Sequence, residues 1–304
     1  MAIMKHDMKA ILGEDFFKEE VRCGFLITEK MKYTWVMQMD LYLLFSEICE
    51  KYGLRYFIFY GGLLGAIRHN GFIPWDDDVD VAMPREDYDV FMKVAVNELK
   101  DPYALQTPYT YPNCYYSVAT MRNSMGTFTP EIFRKLDYNK GIPLDIFPID
   151  YCDPETYEDD RQIIYKNIKK CSTWMKWKGG MSLEELRQDI ELYGLDNPLE
   201  AWKTIHRIAS NPEYYNTGYC GIPTLIPNIK KAPSIFPSDC FKNTELHEFE
   251  GLKVPIPEGY DKILSVLYGD YMKFPPISDR GIKIDGIIFD PKIPYREFDF
   301  DHFN

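Results

Sequence analysis

The sequence predicts a mixed α/β fold that carries a mainly helical insertion. Two observations lead to this prediction. Segments with the apolar spacing of helices alternate with short apolar and aromatic runs that are typical of buried strands, and a lysine-rich helical stretch follows residue 150. We divide the chain into a peripheral N-terminal arm over residues 1–33, a core over 34–150, a helical and loop insertion or lid over 151–240, and a C-terminal part of the core with a tail over 241–304.

The first half of the core alternates helices and strands. Its first helix buries an apolar stripe up to Tyr52, and Gly53 suits the C-terminal cap. The run RYFIFY leads into Gly61 and Gly62, so we interpret it as a buried strand that ends in a glycine turn. In order, the predicted elements are a helix over 35–52, a strand over 55–60, a short helix over 63–68, a strand over 79–83 and a helix over 85–100.

The rest of the chain contributes further predicted elements. Ser182 and Glu185 have the spacing of a capping box, and residues 211–240, which are rich in proline, tyrosine and glycine, indicate an ordered loop. The other predictions are strands over 115–121 and 142–149, helices within 157–208, a strand over 251–256 and a helix over 260–268.

Composition excludes several classes of function. The net charge of −12 argues against broad binding to nucleic acid or to anionic lipid. The seven scattered cysteines contain no C-x-x-C pair, which indicates reduced thiols in a cytoplasmic protein. No stretch approaches 18 uncharged apolar residues, so we expect neither secretion nor a membrane span. Peripheral contact with the inner face of a membrane stays open.

Four carboxylates stand within five residues, at Asp76, Asp77, Asp78 and Asp80. Close carboxylates repel one another, and burial penalises each charge, so a cation is expected beside them. Strand alternation would place Asp78 and Asp80 on one face. Hard divalent cations prefer several carboxylate oxygens, so this pair suits a metal clamp.

The predicted strand over 142–149 brings a third carboxylate, Asp145, which would complete such a metal site. A hydrogen-bonded structural role is the alternative for Asp145. A solvated acidic loop is the alternative for the four clustered carboxylates, whereas a calcium loop is disfavoured because Val81 and Asp87 occupy the positions that need glycine and glutamate. We interpret Asp150, near the strand end, as a turn residue.

The glycine turn and nearby arginines suggest phosphate binding. Gly61 and Gly62 would let the backbone approach a phosphate, and Arg68, Arg85 and Arg122 would neutralise it. A ligand-free turn and surface charges are the alternatives. The glycines match neither a dinucleotide-binding fingerprint nor a P-loop.

Aromatic segments offer a second kind of contact. Trp174, Trp177 and residues 214–219 could cage a quaternary ammonium group. Packing of the core or lid is the favoured explanation, and the sequence selects no cage residue.

Three blocks together resemble one family. The runs YGGLLGAIRHNGFIPWDDDVDVAMPREDYDVF, GIPLDIFPID and FEGLKVPIPEGYDKILSVLYGDYMKFPP resemble, in order, the signature segments of the LicD family of phosphotransferases, which is related to the fukutin group. The blocks cover about a quarter of the chain. Arg122-Asn123 stands where the family usually has Arg-Asp, and SDRGIKIDG replaces a segment with an expected histidine.

The resemblance implies a nucleotidyltransferase-like core with a small mixed sheet flanked by helices. It implies that Gly61 and Gly62 form the glycine motif, and that Asp78, Asp80 and Asp145 are the catalytic, metal-binding acids. Mg²⁺ is the implied cofactor, with Mn²⁺ as a substitute.

The implied reaction moves a phospho-alcohol group, phosphocholine by resemblance, from a CDP-linked donor to a hydroxyl of a glycan or lipid-linked glycan, such as teichoic acid or lipopolysaccharide, and releases CMP. Asp145, or less favourably Asp77, would accept the proton. The alternatives are a nucleotidyltransferase that moves NMP and a non-catalytic nucleotide- or glycan-binding protein.

Overall fold

The computed structural model describes residues 4–225, 234–281 and 286–303. Its helices are α1 (Met8–Leu12), α2 (Glu29–Tyr52), α3 (Tyr60–His69), α4 (Arg85–Glu98), α5 (Tyr157–Lys178), α6 (Arg187–Tyr193), α7 (Pro198–Ala209) and α8 (Tyr260–Tyr268). Its strands are β1 (Glu20–Arg22), β2 (Phe25–Ile27), β3 (Phe57–Phe59), β4 (Asp80–Pro84), β5 (Tyr103–Gln106), β6 (Ala119–Asn123), β7 (Thr127–Pro130), β8 (Ile142–Tyr151), β9 (Tyr219–Gly221), β10 (Ile235–Pro237), β11 (Thr244–Phe249), β12 (Leu252–Pro257) and β13 (Ile287–Asp290). No described helix is both long and apolar enough to span a bilayer.

A mixed sheet organises the fold, and strand β8 lies at its centre. In the described residues, the order β10-β9-β8-β4-β3 forms the main path, and β6 joins β8 with β5 at its outer edge. The β4–β8 pair is parallel, whereas β3, β6 and β9 pair antiparallel with their neighbours. The predicted α/β class with a mixed sheet is therefore confirmed.

The parallel register of β4 and β8 decides which side chains become neighbours. Asp80 of β4 lies opposite Asp145 of β8, and the pairing continues to Pro84 opposite Ile149. On the other side of β8, Thr120 of β6 lies opposite Asp145. The two strands therefore bring two carboxylates from distant parts of the chain to one end of the sheet.

Helix α2 is buried around most of its surface and supports this sheet. The predicted cap at Gly53 is confirmed, because this glycine adopts a left-handed conformation with φ of 65° and its N–H donates to the carbonyl oxygen of Cys49. The helix begins at Glu29 rather than at residue 35, since the Thr28 side chain caps it. Lys32 is buried and paired with Glu20, which hides the apolar periodicity of this first turn.

The N-terminal residues contribute to the main hydrophobic core. Met8, Phe17 and Ile27 are buried in that core, and the β1–β2 hairpin is anchored by Arg22, whose Nη2 donates to Glu250 Oε2 at 3.1 Å. This hairpin therefore contacts the loop between β11 and β12, which lies 228 positions later in the chain.

The residues after β8 are helical, as predicted, and the capping box is confirmed. Ser182 N donates to Glu185 Oε2 at 2.8 Å, and Glu185 N donates to Ser182 Oγ at 3.2 Å. The loop predicted over 211–240 is wrong in part, because β9 and β10 extend the sheet. Each of these strands has three residues, too few to show periodicity, and residues 226–233 lie outside the described residues.

Two predicted roles at the far end of β4 and β8 are wrong. Asp150 is no turn residue but a fully buried member of β8, and Arg85 binds it through both carboxylate oxygens at 2.6 and 2.7 Å. Arg85 itself is only 4% exposed. A buried charge needs a partner, so Arg85 serves this ion pair and lies at the opposite end of β4 from Asp80.

We expect Asp150→Asn to lower the free energy of unfolding by about 3–5 kcal/mol. The substitution removes the buried, doubly hydrogen-bonded counter-charge of Arg85 and leaves only the half-exposed Asp89 carboxylate, 3.5 Å away. Urea unfolding followed by circular dichroism measures this loss. The matched control is Asp101→Asn, which removes an exposed ion pair with Arg296 and should cost less than about 1 kcal/mol. Equal losses of unfolding free energy in the two variants would contradict the assignment of Arg85 and Asp150 to a stabilising buried ion pair.

Candidate active site

A cleft of about 580 Å³ opens beside the N-terminal half of β4, between helix α3, the acidic loop that precedes β4, and the segment that follows α8. Charged and aromatic side chains line it. They include the acids Asp76, Asp77, Asp270 and Asp279, the cations Arg68 and Lys273, and the aromatic residues Trp75, Tyr268, Tyr271 and Phe274.

The acidic loop gathers its carboxylates at the cleft. Asp76, Asp77 and Asp78 each offer a carboxylate oxygen, and these three atoms lie within 4.8 Å of one another. Asp80 is the first residue of β4, whereas Asp78 precedes the strand. Asp78 and Asp80 are nevertheless both partly exposed on either side of buried Val79, as strand alternation predicts. Asp76 and Asp77, from the loop before the strand, line the cleft beside them.

Helix α2 holds the backbone of this loop. Trp35 Nε1 donates to the carbonyl oxygen of Asp76 at 3.0 Å, and Gln38 Nε2 donates to the carbonyl oxygen of Asp77 at the same distance. The Trp35 ring is itself stacked on Phe72, with centroids 4.4 Å apart and planes 2° apart. Two side chains one helical turn apart thus position two successive acidic residues.

The electrostatics of the cluster favour a bound cation. Burial, reinforced by Asp76, Asp77 and Asp145, raises the pKa of Asp78 well above its usual value. Burial and the same neighbours, with Asp78 foremost, raise the pKa of Asp80 in the same direction. The ionised form of each carboxylate is therefore destabilised by burial and by its neighbours. A set of ligands made only of carboxylates fits a hard divalent cation such as Mg²⁺.

Asp145 is held within reach of this cluster by its neighbours in the sheet. Thr120 Oγ1 donates to Asp145 Oδ1 at 2.6 Å. Burial raises the pKa of Asp145, while the charge of Arg122 and the Thr120 hydrogen bond oppose that rise. The predicted closeness of Asp145 to Asp80 is confirmed by the β4–β8 register, and its role as a ligand stays a prediction.

The two glycines have different surroundings. Both lie in the first turn of α3, which begins directly after β3, so no separate turn precedes the helix. A Cβ on Gly61 would stand 2.3 Å from Asp76 Oδ2, so this glycine gives the carboxylate its room at the cleft. A Cβ on Gly62 would collide with Ile58 and approach Val79. Gly62 therefore serves helix-to-sheet packing rather than a ligand.

Of the predicted arginines, Arg68 lies at the cleft. Its Nη1 donates to the carbonyl oxygen of Tyr271 at 2.7 Å, and its Nε donates to His69 at 2.9 Å. Arg122 is 4% exposed and donates to the carbonyl oxygen of Gly141 at 2.9 Å. Arg122 is therefore an internal charge near Asp145 and does not reach the cleft surface.

The aromatic wall of the cleft is a set that sequence reasoning missed. Trp75 and Phe274 meet edge to face with centroids 6.0 Å apart, and His69 stacks on Phe274 at 5.3 Å. Tyr268, 42% exposed, ends helix α8 beside the acids. The residues come from segments some 190 positions apart, so periodicity carries no signal for them.

The aromatic residues that the sequence singled out lie elsewhere. Trp174 packs edge to face against Tyr115, with centroids 5.0 Å apart, and it belongs to a separate small core with Phe133 and Met175. Packing therefore explains Trp174.

Comparison with known proteins finds similarity to one family. Residues 53–181 match the model of the LicD/FKTN/FKRP nucleotidyltransferase domain. The chain is 29% identical over 259 residues to the lipopolysaccharide cholinephosphotransferase LicD of Haemophilus influenzae, a match that covers 78% of this chain and 89% of the relative. A shorter match, 39% identical over 85 residues, is to an uncharacterized protein of Rickettsia prowazekii and covers 28% of this chain and 29% of the relative.

We expect saturating Mg²⁺ to raise the free energy of unfolding of the wild-type protein by about 2.7 kcal/mol at a hundred times its Kd. Asp78→Asn should abolish that rise, because Asp78 belongs to the carboxylate cluster. Gly61→Ala should reduce it, because the new methyl group displaces the Asp76 carboxylate. Thermal unfolding at several Mg²⁺ concentrations measures each effect.

The matched control for the glycine is Gly281→Ala. Gly281 lines the same cleft, but a Cβ there meets no atom of the described residues within 4 Å. An unchanged Mg²⁺ response in Asp78→Asn, or an equal loss in the two glycine variants, would contradict a metal site at this loop.

Proposed function

We propose that this protein, whose residues 53–181 match the model of the LicD/FKTN/FKRP nucleotidyltransferase domain, is a phosphotransferase that moves phosphocholine from a CDP-linked donor to a hydroxyl group of a cell-surface glycan. The similarity to a relative named as a lipopolysaccharide cholinephosphotransferase supports this class of donor group and acceptor. The proposed site of action is the cytoplasm, at the inner face of the membrane when the acceptor is lipid-linked.

One observation carries the proposal: a single cleft combines a carboxylate cluster with an aromatic and acidic wall. Phosphocholine has two features that need different surroundings, an anionic phosphate and a quaternary ammonium group. A cation on the carboxylates would accommodate the phosphate, and aromatic faces next to carboxylates attract a quaternary ammonium group.

The aromatic wall already binds cations from the protein itself. The Arg280 guanidinium lies 4.9 Å from the centroid of Trp75, and the Arg68 guanidinium lies 5.1 Å from that of Phe274. Tyr268 also lines the cleft, and no ring or cation contact is seen for it within the described residues. Although the Tyr268 side chain is partly exposed, desolvation within the cleft and then the charges of Asp76, Asp80 and Asp78 raise its pKa. We therefore propose that the ring of Tyr268 contacts the quaternary ammonium group of choline.

In the proposed step, the acceptor oxygen attacks the phosphorus that carries choline. The bond from that phosphorus to the oxygen bridging it to CMP breaks, and CMP leaves with the electron pair. We assign the proton of the acceptor hydroxyl to Asp77, because Asp77 lines the cleft whereas Asp145 lies behind it in β8.

Asp78, Asp80 and Asp145, together with Asp76, would hold Mg²⁺ or Mn²⁺. The ion would neutralise charge on the diphosphate as CMP departs. Arg68 would bind the same phosphate groups, because its hydrogen bonds to the His69 side chain and to the carbonyl oxygen of Tyr271 fix its guanidinium at the cleft.

Incubation with CDP-choline, Mg²⁺ and a lipopolysaccharide acceptor should release CMP and place choline on the glycan. Asp78→Asn should slow release at least about a hundredfold, since loss of metal-mediated charge stabilisation costs several kcal/mol of barrier. Asp77→Asn should lower kcat about 10²–10⁴-fold while keeping the Mg²⁺-dependent rise in unfolding temperature. Chromatography of the nucleotide and mass spectrometry of the glycan measure both.

Three outcomes would count against this function. Transfer of CMP to the glycan would indicate a nucleotidyltransferase instead. Binding of CDP-choline without any product, across a panel of acceptors, would indicate a non-catalytic binding protein. Full activity after chelation of divalent cations would contradict the metal site.

Tyr268→Leu should raise the KM for CDP-choline about tenfold, because the loss of one desolvated cation–π contact costs roughly 1–2 kcal/mol. It should leave the KM for CDP-glycerol unchanged, since glycerol has no positive charge. Tyr268→Phe is the matched control and should retain selectivity for CDP-choline. Steady-state kinetics with both donors checks this, and an equal rise for the two donors would rule out ammonium recognition by this ring.

A further inference from the structure

A second cavity, of about 450 Å³, lies where helix α7 packs against helix α4. It shares no lining residue with the cleft described above. We propose that this cavity, here called the α4–α7 pocket, binds an anionic sugar unit of the acceptor at a distance from the site of transfer. The identity of that occupant as part of the acceptor rests on the proposed function.

The wall of the pocket is aromatic and firmly held. Trp202 Nε1 donates to the carbonyl oxygen of Tyr116 at 2.9 Å, and the Trp202 ring lies over His206 with centroids 4.1 Å apart. Tyr109 meets Trp202 at right angles with centroids 5.6 Å apart, and it is 67% exposed. Flat aromatic faces at a cavity suit the C–H face of a pyranose ring.

Two cations at the pocket have no counter-charge within the part of the chain that the structure describes. Lys93 of α4 and Arg207 of α7 both line the cavity and are exposed, and neither forms an ion pair with a described carboxylate. Arg85, in the same cavity, differs because Asp150 binds it through both oxygens. Two unneutralised cations from facing helices favour an anion between them.

A third feature separates a sugar from a simple anion. Asp89 also lines the pocket, its carboxylate is 55% exposed, and its Oδ1 lies 3.5 Å from Arg85 Nη1. A carboxylate beside the cations would repel a bare inorganic anion. It accepts hydrogen bonds from hydroxyl groups, so the combination suits a ligand that carries both a negative charge and hydroxyls.

The position of the pocket suits a long acceptor. Asp80 begins β4 and lies opposite Asp145 of β8, whereas Arg85 directly follows β4 and pairs with Asp150 near the end of β8. The two pairs are five positions apart along the strands, roughly 16 Å at 3.3 Å per residue. A single sugar cannot contact both places, whereas an oligosaccharide can, so the pocket should affect binding of the acceptor and not of the donor.

The direct test is calorimetric titration with glucose 6-phosphate, glucuronate and glucose in the presence of EDTA, where the acidic cleft repels anions. We expect the two anionic sugars to bind more tightly than glucose. Lys93→Ala and Arg207→Ala should each weaken that binding about tenfold, the cost of one charge-assisted hydrogen bond. Arg187→Ala is the matched control, because Arg187 is an exposed arginine on the neighbouring helix α6 that does not line the pocket.

Equal binding of all three sugars would contradict the proposal that the α4–α7 pocket binds an anionic sugar. A loss of binding in Arg187→Ala equal to that in Arg207→Ala would contradict it as well. The second readout is steady-state transfer, where Arg207→Ala should raise the KM for a lipopolysaccharide oligosaccharide and leave kcat and the KM for CDP-choline unchanged. If Arg207→Ala weakens sugar binding but the wild-type protein transfers no phosphocholine, the proposed function is wrong and the proposed sugar site stands. If the wild-type protein transfers phosphocholine and the Lys93→Ala and Arg207→Ala variants keep normal sugar binding and normal acceptor KM, the sugar site is wrong and the proposed function stands.

Discussion

The parallel hydrogen-bonded register between β4 and β8 places Asp80 beside Asp145, and the candidate site is built on that pairing. A shift of one residue would turn either carboxylate to the opposite face of its strand, because side chains alternate along a strand. The same two strands lead at their other ends into the buried Arg85–Asp150 ion pair. The same pair of strands therefore positions two like charges, Asp80 and Asp145, and a neutralised pair of opposite charges, Arg85 and Asp150.

Gathering carboxylates in this way disfavours the folded state, so the surrounding structure has to hold them. Helix α2 does so through the backbone: Trp35 and Gln38 donate to the carbonyl oxygens of Asp76 and Asp77, and both of these acidic residues line the cleft. The glycine at position 61 supplies the space that the Asp76 side chain occupies. This arrangement keeps acids close together whose pKa values burial and mutual repulsion raise, which is the situation that a divalent cation relieves.

Local patterns predicted the elements that make this support. The spacing of apolar residues identified α2, α4 and α8, and for α8 the predicted bounds of 260–268 agree with the structure. Short strands were predicted less well: β9 and β10 have three residues each, and what holds them in the sheet is pairing with β8 and with each other rather than any property of their own sequence. Arg85 shows the same limit, since nothing near it in sequence reveals that Asp150, 65 positions later, neutralises it.

By itself, the sequence predicted the chemistry of the candidate site: a run of carboxylates that would attract a cation, a third acid on a later strand, and a resemblance to a phosphotransferase family, which the match over residues 53–181 supports. Only the tertiary structure decided which groups share a cleft. It brought Asp76 and Asp77 to the cleft, withdrew Arg85 and Arg122 from it, and joined Trp75 to Tyr268 and Phe274 in one wall. The physical reason is that a residue's local pattern reports its own strand or helix, whereas burial, counter-charge and ring contacts depend on segments that folding brings together across nearly two hundred residues.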